Sequence, residues 1–296
     1  MIRVTVLGTA GASPTKNRSL TSVSLFYDGN VLLFDCGEGT QMQILKYGVN
    51  HSRIRAIFLS HAHGDHVIGL AGLLRSMELN GRQEPLYIYI PQGYQGVINR
   101  LITFDNAKIS YPIHVKGIKA GKVYRGKDFT VTAFRVEHTI ATYGYAFKID
   151  DKRKFIEEKC RKLGLVGEMY GALQKKGSLR VGRKLVRLGD VTRIKSGKKI
   201  VYATDTRPAR ATVTAARGAD LLVHEATYAD REKRLAKERM HSTALEAAQV
   251  AKKAGARELV LIHLSARYKN SLQHETDAKT VFDNAIVAKD GDDIFI

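Results

Sequence analysis

The chain reads as an α/β protein, a layered sandwich with sheets in the interior and helices outside. Three observations carry that expectation. Short apolar runs alternate with helical patterns in both halves of the 296 residues. Polar residues close several of these runs, as they do at the rim of a sheet. One lysine- and arginine-rich segment interrupts the pattern. Mixed order of this kind favours sheets covered by helical layers.

The strands come first. Residues 2–7, 23–27, 31–35, 55–60 and 86–90 are short runs rich in Val, Ile, Leu, Phe and Tyr. Asp28-Gly29-Asn30 is a tight turn between two of them. Later runs cover 129–136, 143–149, 200–204, 220–224 and 258–264. Helical periodicity covers Gly39 to Lys46, His66 to Leu79, Gly93 to Phe104, Thr243 to Lys253 and His274 to Ala288. Ser242-Thr243-Ala244-Leu245-Glu246 carries a capping box, and Gly255 is a suitable stop for that helix.

Composition narrows the class. Hydrophobic residues make up 44% of the chain, enough for a real core. No apolar run approaches the roughly 20 residues of a membrane span, so no membrane partner is expected. The opening residues Met1 to Gly8 read as a strand and not as a signal peptide. Cys36 and Cys160 lie far apart, so neither a disulfide framework nor a cysteine zinc finger is expected, and a cytoplasmic setting is. The net charge of +19 points to a polyanionic partner, with nucleic acid as the expectation.

That charge is concentrated. Residues 152–199 hold 16 lysines and arginines against four acids, net +12, leaving +7 for the other 248 residues. Phe155, Ile156, Cys160 and Leu163 fall on one face of a short helix. Leu179-Arg180-Val181 and Lys184 to Leu188 read as a hairpin across Gly182-Arg183. The apolar content looks too low for a core of its own. The segment therefore reads as a projecting arm inserted into a domain made of 1–151 and 200–296.

The chemistry concentrates in Ser60-His61-Ala62-His63-Gly64-Asp65-His66, directly after the apolar run Ala56 to Leu59. Imidazole and carboxylate are ligands that zinc takes. His61, His63, Asp65 and His66 are too close in sequence to surround one ion. They divide naturally into His61 with His63, and Asp65 with His66. Further ligands must come from other strand ends: His138, Asp205 and His263 stand at such ends. Asp205, with two oxygens, suits a bridge. Two ions about 3.5–4 Å apart clamp both oxygens of a phosphoryl displacement and activate water. Such a centre hydrolyses phosphodiesters, esters or lactams.

The order of motifs resembles a known family. His-x-His-x-Asp-His followed by a distal His, Asp and His is the pattern of the metallo-β-lactamase superfamily. Leu7-Gly8-Thr9 with Pro14-Thr15, Phe34 to Gln41, Ser60 to Leu70, Ala203 to Thr206, His224 to Tyr228, His241 to Ala244 and His263 to Tyr268 together resemble the ribonuclease Z family, short form, the tRNA 3′-processing endonucleases. The resemblance spans the whole chain.

It implies a four-layer αββα sandwich with a protruding basic arm, and two zinc ions per subunit, with Mn²⁺ able to substitute. One zinc would take His61, His63 and His138, the other Asp65, His66 and His263, with Asp205 between them. Asp65 would accept the proton of the attacking water. Glu225 and His241 would supply a proton to the leaving 3′-oxygen, a task suited to an imidazole held by a carboxylate. The substrate would be precursor tRNA, cut after the discriminator nucleotide to leave a tRNA 3′-hydroxyl and a trailer 5′-phosphate.

The arm would grip the tRNA by its backbone, through Lys175, Lys176, Arg180, Arg183 and Lys184. A homodimer is implied, one subunit's arm holding the RNA cut by the other. The loop Pro14-Thr15-Lys16-Asn17-Arg18-Ser19 resembles the family's CCA-discriminating loop, with Ser19 where Asn is common. Pro14, Lys16 and Arg18 are its expected substrate contacts, and Arg267 a further one. The arm lacks the family's Gly-Pro stretch, reading Leu165 to Gly171 there.

Other readings fit less well. The basic arm argues against a small substrate and, with the strand-like N-terminus, against a β-lactamase. A complete ligand set argues against a non-catalytic RNA-binding scaffold. His51, His114 and His274 read as surface residues, His224 as a group bonded to backbone, and Asp35, Gly37 and Gly39 as a turn beneath the site.

Overall fold

The structure is a computed structural model that describes residues 1–105 and 108–296. Its contacts divide the chain into two units, Met1–Phe147 with Lys199–Ile296, and Lys148–Lys198.

The larger unit is built on two seven-stranded sheets. The first runs Asp293–Phe295, Arg3–Gly8, Ser22–Tyr27, Asn30–Phe34, Ile54–Phe58, Leu86–Pro91, Ile113–Ile118. The second runs Ala285–Val287, Leu259–Ile262, Leu221–Glu225, Lys199–Ala203, Tyr143–Ile149, Phe129–Arg135, Gly121–Arg125. Successive strand residues face opposite ways, and each face has its own packing. On the first sheet Leu33, Ile57 and Ile88 join Ile44, Leu70, Leu74 and Ile98 from the helices Thr40–Lys46, Gly69–Leu79 and Gln95–Thr103. On the second, Val201, Leu222 and Leu261 join Ala247, Ala251 and Ala278 from Ala244–Ala254 and Leu272–Lys279. Between the sheets the packing is aromatic: Phe34 stacks on Tyr202 with centroids 5.5 Å apart, and Phe58 meets Tyr145 at 5.3 Å. The layers are thus helix, sheet, sheet, helix, the sandwich expected.

Local signals account for the boundaries. Asp28 and Gly29 both have positive φ, +46° and +76°, as the hairpin turn between Ser22–Tyr27 and Asn30–Phe34 requires. Thr243 and Glu246 close a capping box, and Gly255 ends that helix in the left-handed region. The helix expected over His66 to Leu79 is instead two, Gly64–Val67 and Gly69–Leu79. The break lies where Gly69 packs on Gly37: a Cβ at Gly69 would stand 2.0 Å from the Gly37 carbonyl oxygen.

Two further expectations need correcting. The helix expected over His274 to Ala288 spans Leu272–Lys279, and Ala285–Val287 is an edge strand, parallel to Leu259–Leu261. Pairing with an apolar strand overrides the local periodicity there. The second correction concerns the basic segment, which has a small core of its own: Cys160, Leu165, Leu173, Val186 and Val191 are buried together. These positions are spread over three elements and the joining turns, so no single stretch looks apolar. The expected hairpin is present as Ser178–Val181 with Lys184–Arg187, and Lys152–Phe155 pairs with Thr192–Lys195.

Candidate metal centre

Every residue of the centre follows a strand. After Ile54–Phe58 the chain delivers His61 and His63, then the short helix Gly64–Val67 carries Asp65 and His66. Asp205 follows Lys199–Ala203, His263 directly follows Leu259–Ile262, and Glu225 ends Leu221–Glu225. These last three strands are parallel neighbours, so their carboxyl ends converge on one edge. That edge is where open α/β sheets place ligands. His138 arrives from beyond Phe129–Arg135 in the same sheet.

The seven groups gather as two sets. His61, His63, His138 and Asp205 offer ligand atoms within 4.8 Å of one another, and so do Asp65, His66 and His263. Asp205 faces both. Its Oδ1 lies 3.0 Å from His263 Nε2 and 3.2 Å from His66 Nε2. Its Oδ2 lies 3.6 Å from His61 Nε2 and 3.7 Å from His138 Nε2. One carboxylate thus turns one oxygen to each set.

The hydrogen bonds behind the imidazoles fix which nitrogen carries the proton. His66 Nδ1 lies 2.9 Å from Asp35 Oδ2, and His138 Nδ1 3.1 Å from the Met240 carbonyl oxygen. Both partners accept only, so both Nδ1 atoms donate. Ser60 gives its one hydroxyl hydrogen to Asp35, so it accepts from His61 Nδ1 at 2.8 Å. Thr227 gives its own to Glu225, so it accepts from His263 Nδ1 at 2.9 Å. In their neutral forms the four imidazoles therefore turn Nε2 lone pairs toward two carboxylates.

Of these atoms, Nε2 of His66, His138 and His263 is buried with no hydrogen-bond partner among the described residues. His61 Nε2 meets His63 Nδ1, nitrogen against nitrogen, at 2.9 Å. Lone pairs converging on carboxylates are satisfied by cations. Burial holds His61 well below its ordinary value, the neutral form a metal needs. His66 behaves differently: against burial, the Asp205 and Asp35 charges hold it well above its ordinary value. A proton answers for one imidazole, whereas divalent cations answer for all of them. The donor set of nitrogen and carboxylate oxygen fits zinc.

The scaffold is strained around this centre. Asp35, Asp205 and His263 have φ of +56°, +46° and +59°, a region non-glycine residues rarely adopt. Strain of this kind persists only where surrounding contacts hold it. Gly11 leaves room for His263: a Cβ there would meet the ring at 2.4 Å. The next amide, Ala12, donates to Asp65 Oδ2 at 2.9 Å.

Beside the two sets stands an acid–imidazole pair. His241 Nδ1 lies 2.9 Å from Glu225 Oε1, and the ring of His241 stacks on His263 with centroids 5.4 Å apart. Glu225 is fully buried and also accepts from the Thr206 and Thr227 amides. Burial disfavours a charged His241, but the Glu225 carboxylate outweighs it and pushes the imidazole up to about 9.

Other expected residues are placed as follows. Pro14 and Lys16 are exposed, while Arg18 is half-buried and donates to Thr9 Oγ1 and the Ala288 carbonyl. Arg267 is exposed over the Tyr228 ring. Lys175, Lys176, Arg180, Arg183 and Lys184 are exposed in the smaller unit. His224 is buried against the Glu225 carbonyl at 2.7 Å. His114 is exposed and His51 half-buried. His274 is not a surface residue: it is fully buried, edge-on to Tyr268.

Asp35, which in sequence reads only as a turn, is the main further residue of the site. It is fully buried and accepts from Ser60 N, Ser60 Oγ, His66 Nδ1 and Tyr202 Oη. Its signal was available, since it closes an apolar strand just as Asp205 does. Ser60 and Thr227 had no comparable signal.

Comparison with known proteins agrees with this architecture. The sequence-family model for the Anti-Pycsar protein Apyc1 matches residues 2–171, and that for the Beta-lactamase superfamily domain matches 182–264. A ribonuclease Z of Methanosarcina acetivorans is 41% identical over 98% of this chain and 96% of its own. One from Gemmatimonas aurantiaca is 40% identical over 98% and 95%. The crystal structure of human tRNase Z, short form, superposes with a TM-score of 0.71 at 28% identity, covering 99% of both chains. The metallo-β-lactamase fold protein YhfI of Bacillus subtilis shares the fold, with a TM-score of 0.73 at 22% identity over 99% and 98%. With relatives this similar along nearly its whole length, the chain belongs to the ribonuclease Z family of metallo-β-lactamase-fold proteins.

Proposed function

We propose that this protein is a cytoplasmic, zinc-dependent tRNA 3′-endonuclease that cuts precursor tRNA after the discriminator nucleotide. The observation that carries the proposal is Asp205 turning one oxygen to each of two histidine sets. Family membership supplies the substrate, since the relatives are named ribonuclease Z and tRNase Z.

His61, His63 and His138 would hold one ion and Asp65, His66 and His263 the other, with Asp205 between them, and Mn²⁺ would serve in place of Zn²⁺. Bound there, the ions supply Lewis-acid polarisation of the phosphodiester and a lower pKa for the attacking water. Asp65, partly open to solvent, takes that water's proton on its carboxylate. His241 has Nδ1 committed to Glu225 and gives the leaving 3′-oxygen a proton from Nε2. The products are a tRNA 3′-hydroxyl and a trailer 5′-phosphate.

The basic segment 152–199 is the tRNA-gripping arm, with Lys175, Lys176, Arg180, Arg183 and Lys184 as its phosphate contacts, inserted in a catalytic domain of 1–151 and 200–296. Pro14, Lys16, Arg18 and Arg267 line the approach to the cut. The active form is a homodimer.

Purified protein with Zn²⁺ or Mn²⁺ is incubated with a 3′-extended precursor tRNA and both product ends are mapped. A single cut after the discriminator, lost in Asp65→Ala, is expected. An intact precursor would refute the reading, and hydrolysis of only a small diester would favour a small-substrate phosphodiesterase.

A further inference from the structure

A second basic feature lies outside the metal centre and outside the arm. A cavity of about 580 Å³ opens between the loop carrying Lys16 and Arg18, the helix end at Lys46-Tyr47, the loop at Lys269 and the turn at Lys289-Asp290. All four lysines are exposed, and no ion pair to an acid is found for any of them among the described residues. The one acid lining the cavity, Asp290, is already engaged. Its Oδ1 accepts from Thr9 Oγ1 at 2.6 Å, and its Oδ2 from the Ser19 amide at 2.6 Å and Gln43 Nε2 at 3.1 Å. Asp290 keeps its charge, but with Arg18 and the four lysines the lining carries five cations against that one acid, so the cavity is strongly positive. Tyr47 adds a half-buried ring, with Lys46 Nζ 5.0 Å from its centroid. Amines that can track phosphates beside an aromatic face are the components of a single-strand nucleic-acid site.

Chain connectivity ties the cavity to the metal centre. Ala12 N is bonded to Asp65 Oδ2, and Lys16 lies four residues further on. A fully extended chain covers at most about 3.3–3.6 Å per residue, so Lys16 stands within about 14 Å of Ala12. On the other side His263 belongs to the centre and Lys269 follows six residues later in the same connection. Two loops thus run from the metal groups to the cavity walls.

We propose that this cavity is a binding site for single-stranded RNA leaving the metal centre, with Lys46, Lys269 and Lys289 as its phosphate contacts and Tyr47 as its stacking surface. In the reaction proposed above this strand is the 3′ trailer, and that assignment rests on the tRNA reading. The site makes cleavage depend on trailer length: a long trailer reaches the lysines and a one-nucleotide trailer does not.

The test uses the full-length protein with Lys46, Lys269 and Lys289 all replaced by glutamine, with the thermal midpoint as a control for folding. Precursor tRNAs carrying one-nucleotide and long trailers are compared. The triple variant is expected to raise KM about tenfold more for the long trailer than for the short one. Binding of hexauridylate is measured in parallel as a function of salt. The slope of log affinity against log salt should shrink by about 2, from about 0.7 for each lost phosphate contact. Equal effects on both trailers with an unchanged salt slope would overturn the proposal. If the wild-type protein cuts no precursor tRNA, the tRNA reading fails, and the hexauridylate titration still decides whether the cavity binds RNA.

Discussion

Replacing Asp35 by asparagine isolates what the hydrogen bonds behind the metal centre contribute. The substitution keeps shape, and asparagine tolerates the left-handed backbone at φ +56°. Oδ1 accepts from Ser60 N at 2.7 Å, whereas Oδ2 accepts from Ser60 Oγ, His66 Nδ1 and Tyr202 Oη at 2.9, 2.9 and 2.7 Å. An amide has one oxygen for these two positions. Turned toward the three donors, it puts its NH₂ against the Ser60 amide, donor against donor. Turned the other way, it sets its NH₂ against His66 Nδ1–H, donor against donor, and makes both hydroxyls give up donating to accept from it. The first arrangement wins, and it leaves one buried amide unsatisfied, costing about 1–3 kcal/mol of stability. His66 also loses a charged acceptor for Nδ1–H, which weakens Nε2 as a ligand; losses of a partner behind a metal-bound histidine cost about 10–100-fold in metal affinity. The assay is activity against free Zn²⁺ set by a chelator buffer. Asp35→Asn should shift half-activation to higher zinc by that factor and recover at saturating metal. An unchanged half-activation point would refute the argument that Asp35 positions His66.

Three further outcomes follow from the same geometry. Gly11→Ala places a methyl group 2.4 Å from the His263 ring and should cost about 10²-fold in activity, the effect of roughly 1 Å of misplacement; near-normal turnover would show that the ring can move harmlessly. Thr227→Val keeps volume but removes the hydroxyl that serves Glu225, His241 and His263, and urea unfolding should report a loss of about 1–3 kcal/mol. Burial pushes His274 down to about 4 from an ordinary 6.5, so between those values the unfolded chain binds the proton and the folded chain does not. Stability from this residue is complete above about 6.5 and falls as pH drops to about 4, by about 3 kcal/mol. His274→Leu should flatten that limb of the stability curve by the same amount, and an unchanged limb would contradict it.

The gathering of these groups was legible in the sequence because they share one repeated device, a polar residue closing an apolar strand. His61, Asp205 and His263 follow it, and convergence is a consequence of parallel strands ending on one edge. Asp35 obeys the same rule yet reads as a turn, because its partners Ser60, His66 and Tyr202 come from 25 to 167 residues away. The edge strand Ala285–Val287 was hidden for a related reason: its pairing with Leu259–Leu261 is a tertiary fact that helical periodicity nearby does not report. The small core of the basic segment takes single residues from separate elements, among a charge density that draws the eye elsewhere. His274 shows the limit for a lone histidine. Its burial against Tyr268 comes from helix placement and leaves no trace in spacing.

The seven groups are expected to hold two ions, with Asp205 joining them. Anomalous scattering at the zinc edge, from crystals of protein loaded with Zn²⁺, tests this directly. Two peaks about 3.5–4 Å apart are expected, with one Asp205 oxygen on each. A single peak, or two peaks with Asp205 bound to only one, would contradict it.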